Sequence, residues 1–243
     1  MRCRALAVPE QGKPRAELRE YDVPEPGPGE LTVEIKASVI SPGTERAFSL
    51  GLPNTSATFP YHPGYCSAGI VRRTGAGVTR AKEGDRVTCR LGHRSAWTLA
   101  ERDVLPLRAG VSFEQGAFLS LGQIAMQGVR RARVELGEAV MVLGLGIIGQ
   151  LALQLARAAG GAPVIGVDRV VRRLEAATAG GADAVLDSTP PEWTGRLKTL
   201  TGGGPHVVFE VTGAHEPVTI ACQAARRHGR VVAFRMAIPV VFT

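Results

Sequence analysis

The chain has 243 residues, 44% hydrophobic and 21% charged, which is enough to bury the core of one large or two small domains. No apolar run approaches the roughly 20 residues that span a bilayer, and the opening eight residues are too short an apolar stretch for a signal peptide, so no membrane partner and a cytoplasmic address are expected. The formal charge of +7 sits on scattered arginines with only short clusters such as Arg130, Arg131 and Arg133, which argues against a nucleic-acid partner.

Residues 1 to about 120 carry short apolar runs punctuated by turn signals, the pattern of a β-rich lobe. Pro24 to Gly29 is an irregular turn, because its prolines remove donors and its glycines loosen the backbone. Leu31 to Val39 alternates apolar and polar residues and is predicted to be a half-buried strand, followed by shorter strands at Cys66 to Val71 and Asp85 to Cys89. Cys3, Cys66, Cys89 and Cys222 are far apart with no Cys-x-x-Cys pair, so neither a disulfide framework nor a zinc knot is suggested.

From about Phe113 the periods lengthen to helical ones that alternate with buried apolar runs, as in a parallel sheet covered by helices. Predicted strands are Ala139 to Leu143, Val164 to Val167, Ala184 to Leu186, Val207 to Val211 and Arg230 to Phe234. A helix is predicted over Ile148 to Ala159, stopped by Gly160 and Gly161. The domains expected are thus a β-rich lobe over 1–120 and an α/β lobe over 121–243.

Gly144-Leu145-Gly146-Ile147-Ile148-Gly149 directly follows a predicted strand and opens a predicted helix. In that setting the first glycine permits a tight turn, the second lets the backbone approach a pyrophosphate, and the third allows close helix-to-strand packing. Asp168, 24 residues on from Gly144, stands close to the ~20 expected of the acid that bonds the adenosine ribose. Its carboxylate offers two acceptors to a ribose diol and repels a 2′-phosphate, so NAD is favoured over NADP. Arg169, Arg172 and Arg173 pull the other way, since an arginine just past this strand accommodates a 2′-phosphate. Arg172 and Arg173 read rather as a solvated helix face, and Arg169 as a residue lying against the adenine.

Several segments together resemble the medium-chain dehydrogenase/reductase superfamily, whose members join a GroES-like catalytic lobe to a Rossmann lobe. Besides the glycine fingerprint these are Gly64-Tyr65-Cys66-Ser67-Ala68-Gly69-Ile70-Val71, Gly77-Val78-Thr79 and Lys82-Glu83-Gly84-Asp85-Arg86-Val87. Val211, Thr212 and Gly213, after Glu210, resemble the strand end that faces the nicotinamide in this superfamily. The run Ser41-Pro42-Gly43-Thr44-Glu45 with Pro63-Gly64-Tyr65 resembles a branch that includes bacteriochlorophyllide a dehydrogenase. The fold implied is α/β: a GroES-like β-rich lobe followed by a doubly wound parallel sheet, truncated at its C-terminal end. The resemblance runs from the N-terminus to about residue 234.

Against zinc-dependent members the chain departs at every ligand. The first cysteine falls at Ser41, the histidine of Gly-His-Glu at Tyr65, and the third ligand position at Ser120. None is a good zinc ligand at neutral pH, so the resemblance implies a zinc-independent, NAD(P)-dependent oxidoreductase acting on a small-molecule alcohol or carbonyl substrate. Without a Lewis acid the reacting oxygen needs a hydroxyl donor; Thr44 and Tyr65 are the candidates, and the alternatives are that Thr44 caps a turn and Tyr65 fills the hole and bonds a backbone group. Glu45 is expected to orient the proton relay or to pair with Arg46. His62 reads as a loop histidine in water, Cys66 lacks an adjacent base, and His206, His215 and His228 have no chemical role.

Past residue 234 the superfamily continues into a sixth Rossmann strand and back to the catalytic lobe, whereas Arg235 to Thr243 does not resemble it. A fragment, a frameshifted product or a natural truncation would each explain the ending. An uncovered apolar strand edge is then expected, the usual dimer strand is missing so that a homo-oligomer cannot be carried over, and an inactive dinucleotide-binding remnant is the alternative function.

Overall fold

A computed structural model of the chain describes residues 1–12, 15–52, 55–214, 216–234 and 240–242. The chain divides into two compact units, Met1–Ser120 and Leu121–Thr243.

In the first unit β1 (Arg2–Ala7) pairs antiparallel with β2 (Glu17–Asp22). The chain then enters β3 (Glu30–Ser38), turns through helix α1 (Pro42–Leu50) and returns in β4 (Ser67–Thr74), β5 (Arg86–Cys89), β6 (Ala96–Ala100) and β7 (Val104–Pro106). These make a five-stranded antiparallel sheet in the order β6-β3-β4-β5-β7. Alternate residues of β3, β4 and β5 point inward, and Leu31, Val33, Val71, Val87, Leu91 and Val104 form its core. Helix α2 (Phe113–Ala117) is started by a capping box in which Ser112 and Gln115 exchange side-chain and backbone bonds.

The second unit takes in all but the first two residues of helix α3 (Leu119–Ala132). It alternates β8 (Val140–Leu143), α4 (Ile147–Ala158), β9 (Val164–Asp168), α5 (Val171–Ala179), β10 (Ala184–Asp187), α6 (Trp193–Thr201), β11 (Val207–Glu210), α7 (Glu216–Ala224) and β12 (Arg230–Ala233). The sheet order is β10-β9-β8-β11-β12-β13, with β13 (Val240–Phe242) at one edge. Every pairing from β10 to β12 is parallel, so the strands need helical crossovers, and covered on both faces they read as unbroken apolar runs. One core holds Val140, Val142, Leu153, Phe209 and Val232, the other Met141, Ile165, Val167, Trp193 and Val208. Helix α4 buries Gly149, Ala152, Leu153 and Ala156, the i, i+3, i+4, i+7 stripe that a helix lays on a sheet.

The order reverses between β8 and β11, which follow β9 and β10 on one side and precede β12 on the other; ligands of doubly wound sheets bind outside the strand ends at such a point. One expectation is overturned at the edge. β12 is not left bare, because β13 pairs antiparallel with it through Val231–Phe242, Val232–Val241 and Ala233–Val240. Among the described residues no helix is long and apolar enough to cross a membrane.

Candidate functional site

The fingerprint closes on itself in the second unit. Gly144 directly follows β8 with φ +94°, a left-handed conformation that residues other than glycine adopt at a cost, and a Cβ there would meet Thr212 at 2.9 Å. Gly149 lets α4 press on the turn, since its Cβ would lie 2.0 Å from the Gly144 carbonyl oxygen. Gly146, the N-cap of α4, has nothing within 4 Å of where its Cβ would be, which leaves open the space a pyrophosphate needs. Ile147 and Ile148 begin the helix half-buried, and the Leu145 side chain is fully buried in the core. The cradle therefore fits a dinucleotide.

Asp168, the last residue of β9, is buried, and its carboxylate is already well occupied. Oδ1 accepts the backbone N–H of Arg169 at 2.8 Å and of Val170 at 2.9 Å, while Oδ2 accepts that of Leu145 at 2.7 Å. Arg173, half exposed, lies 3.4 Å from Oδ2. The two free acceptors expected for a ribose diol are thus not free, because backbone donors of the glycine loop and of the β9–α5 turn have taken most of the lone pairs. Gln150 ties the same elements, donating to the carbonyls of Leu145 at 3.2 Å and Arg173 at 2.8 Å. Arg169 and Arg172 are exposed.

Across the switch point Val211 donates its N–H to Leu143 O at 2.8 Å, which seats the end of β11 beside β8. Glu210 is wholly buried; its Oε1 accepts the N–H of Thr212 at 2.7 Å and the Thr212 hydroxyl, and its Oε2 has no hydrogen-bond partner among the described residues. Gly213 follows with φ +75°. The fingerprint and the segment Val211–Gly213 are therefore brought together, with Thr212 beside Gly144.

The first unit assembles the three positions aligned with zinc ligands. The Tyr65 hydroxyl donates to Ser41 Oγ at 3.0 Å, and Ser120 Oγ donates to the Tyr65 carbonyl at 3.4 Å. Tyr65 thus meets a side-chain hydroxyl rather than the backbone group of the alternative reading. Thr44 lies half-buried in the first turn of α1, and its hydroxyl makes no hydrogen bond among the described residues, so it caps nothing there.

Glu45 does not pair with Arg46. It is buried at 8% exposure, accepts the Ser41 N–H at 2.6 Å through Oε1, and through Oε2 lies 2.9 Å from His93 Nε2. The other ring nitrogen of His93 bonds Ser38 Oγ at 2.9 Å. His93 was missed by the sequence reading; it is brought in by a close approach of two loops, in which its N–H donates to Pro63 O at 2.9 Å and a Cβ on Gly64 would touch it at 2.9 Å. The phenol of Tyr61 is pushed up by burial and, to a lesser degree, by the nearby Glu45 and Tyr65.

Other residues play structural parts. His62 is half-buried rather than in water, with Nδ1 2.9 Å from the Leu6 carbonyl and its ring edge-on to Tyr21. His206 accepts the Ala139 N–H at 2.9 Å. Cys3, Cys66 and Cys89 are buried, and His215 lies outside the described residues. Hydroxyl oxygens at 41, 65 and 120 are a poor donor set for zinc, and among the described residues no group of three or more His, Cys, Asp or Glu is placed to hold a metal ion.

A GroES-like lobe carrying a part-buried hydroxyl pair and a Rossmann lobe with a dinucleotide cradle define the class of two-lobed oxidoreductases. The family described as "Alcohol dehydrogenase GroES-like domain" matches residues 27–119, and that described as "Zinc-binding dehydrogenase" matches residues 148–239, past the limit of 234 expected from sequence. An "Alcohol dehydrogenase" of Rhizobium meliloti (strain 1021) is 31% identical over 235 residues, 84% of this chain and 68% of that one. The "Sorbitol dehydrogenase" of Homo sapiens is 28% identical over 256 residues, 88% of this chain and 70% of that one. Among solved structures, the 2R,3R-butanediol dehydrogenase of Bacillus subtilis superposes with TM-score 0.84 at 24% identity, over 96% of this chain and 77% of that one. The chain belongs to the medium-chain dehydrogenase/reductase superfamily and is an oxidoreductase of its alcohol dehydrogenase type. These findings do not single out the bacteriochlorophyllide branch.

Proposed function

We propose that the chain moves hydride between a nicotinamide dinucleotide, NAD or NADP, and a small alcohol/carbonyl pair without a catalytic zinc, in the cytoplasm. The observation that carries the zinc-free part is the Tyr65–Ser41 hydrogen bond, two hydroxyls bonded to each other at the positions where zinc-dependent relatives hold their metal.

The dinucleotide, when bound, supplies or accepts the hydride. Gly144, Leu145, Gly146, Ile147, Ile148 and Gly149 would hold its pyrophosphate, Asp168 and Arg169 its adenosine end, and Val211, Thr212 and Gly213 its nicotinamide end. Ser41 Oγ, accepting from Tyr65, keeps its own proton for the oxygen of a substrate, and a donor that is itself hydrogen-bonded is a stronger donor. Such fixed donors stabilise charge developing on a carbonyl oxygen as it is reduced; in oxidation the same donors hold the alcohol oxygen while its proton is released to water. Glu45 holds the Ser41 backbone in place, and Thr44, one turn position away, supplies a further free hydroxyl. The names of the sorbitol and alcohol dehydrogenase relatives support an alcohol as substrate.

The test is a panel of secondary alcohols and ketones followed by NADH or NADPH absorbance, on protein dialysed against a chelator and assayed for metals. Turnover with zinc far below one per chain is the expected result. One zinc per chain after dialysis, or turnover that returns only with added zinc, would overturn the zinc-free mechanism. Dinucleotide binding without turnover of any substrate would favour the inactive remnant instead.

A further inference from the structure

We infer that His93 is a positioning residue of the reaction, the group that holds Tyr65 in register with Ser41. The inference rests on the zinc-free reading above, in which that hydroxyl pair serves the reacting oxygen, and names what keeps the pair in place.

Ser41 is the N-cap of α1, where a serine side chain ordinarily accepts a backbone N–H of the first helical turn. Here it makes no such bond, and its Oγ accepts from Tyr65 instead. The start of α1 is tied from the other direction, by Glu45 reaching back to the Ser41 N–H at 2.6 Å. That reach leaves the serine hydroxyl to the site, and it makes the placing of Ser41 depend on where the Glu45 carboxylate is held.

His93 holds it. Nε2 lies 2.9 Å from Glu45 Oε2, and both side chains are at least nine-tenths buried. A carboxylate only accepts, so Nε2 carries the proton, and Nδ1 is met at 2.9 Å by Ser38 Oγ, a hydroxyl that can give or accept. The backbone N–H of His93 donates to Pro63 O at 2.9 Å, two residues before Tyr65. One residue thus grips the end of β3 at Ser38, three residues before Ser41, helix α1 through Glu45, and the segment that carries Tyr65. Glycines permit this approach: a Cβ on Gly92 would lie 2.6 Å from the Pro63 carbonyl oxygen, and one on Gly64 would lie 2.9 Å from His93 N. A misplacement of about 1 Å can cost ~100-fold in rate, so such a hub is felt in turnover without touching the substrate.

The experiment compares His93→Gln, whose amide nitrogen reaches where Nε2 stood and keeps a donor for Glu45, with His93→Asn, which reaches only where Nδ1 stood and keeps the Ser38 bond. Each loses one of two side-chain bonds, so a purely structural histidine would make them alike. The first readout is amide exchange of Ser41 in the full chain, expected to be unchanged in His93→Gln and about tenfold faster in His93→Asn, the scale of one lost hydrogen bond. The second is turnover of an alcohol or ketone on which the parent acts. It should stay within about threefold of the parent for His93→Gln and fall about 10- to 100-fold for His93→Asn, in kcat rather than KM, with NADH affinity held within about twofold. In a Tyr65→Phe background the difference in kcat should vanish, because the register no longer serves a hydroxyl. Glu45→Asp, which shortens the reach of the carboxylate by one methylene, should act like His93→Asn and serves if that variant does not fold. Equal exchange or equal kcat in the two His93 variants, or a difference that survives Tyr65→Phe, would overturn the inference and leave the zinc-free reading intact. A split in exchange with no turnover of any substrate by the parent would overturn the functional reading and leave the hold of His93 on Ser41 standing.

Discussion

Replacing Glu45 by alanine is expected to cost the first unit a large part of its stability, although the residue stands only one position past the candidate Thr44. The carboxylate is buried, and it accepts the Ser41 N–H at 2.6 Å and faces His93 Nε2 at 2.9 Å. Removing it leaves two buried N–H donors unpartnered, each worth about 1–3 kcal/mol, and breaks a buried pair from one side, for which about 3–5 kcal/mol is typical. A loss of about 3–5 kcal/mol is a large share of the ~5–15 kcal/mol that holds a domain together. Glu45→Gln keeps an acceptor and should cost less than half as much. The assay uses the placement of the two tryptophans: Trp97 lies in the first unit and Trp193 in the second. In a Trp193→Phe background, urea unfolding followed by Trp97 fluorescence reports the first unit alone. A shift below about 1 kcal/mol for Glu45→Ala would refute the account, because a solvated surface pair would give that value.

Three more outcomes can be checked. Tyr65→Phe, which removes only the hydroxyl, should lower turnover by about 100-fold or more with NADH affinity unchanged; activity within about threefold of the parent would mean the ring merely packs. Gly149→Ala should lower the melting temperature and abolish nucleotide binding, since its Cβ would sit 2.0 Å from a backbone oxygen, whereas Gly146→Ala should fold normally and lose only binding; equal melting temperatures for the two variants would refute this. Burial pushes the Cys89 thiol from its ordinary 9.0 up to about 12, so in native protein at pH 8 a thiol reagent should modify the exposed Cys222 and spare Cys89. Because the folded state holds that proton more tightly than the unfolded one, the stabilisation it brings is complete below pH 9 and is lost as pH rises toward 12. Rapid labelling of Cys89 at pH 8 would contradict the burial.

The second unit was largely legible because its strands are buried on both faces. Val140 to Leu143, Val164 to Asp168 and Val207 to Glu210 lie within a residue or so of the predicted apolar runs. Helix α1 was hidden by its start, since Pro42-Gly43 reads as a turn although proline suits the first helical turn. The strand pair β1–β2 was missed as well; β2 is mostly exposed and carries only Leu18, Tyr21 and charged residues, with no apolar alternation to find. The Glu45–His93 pair joins residues 48 apart through a loop contact, and no local period signals it. Gly64 and Gly92, which permit that contact, were the only trace in the sequence. The occupation of Asp168 was likewise invisible, because spacing identifies an acid at a strand end and says nothing of which N–H groups it already serves.

The double fastening of the glycine loop, through Asp168 to Leu145 and through Gln150 to Leu145 and Arg173, bears on how fast a nucleotide is captured. A loop that must become ordered on binding subtracts that lost entropy from the affinity and slows association below the encounter rate. Here the phosphate cradle is held in one shape before any nucleotide arrives, so a single-phase association rate that rises linearly with nucleotide concentration follows, with no isomerisation plateau.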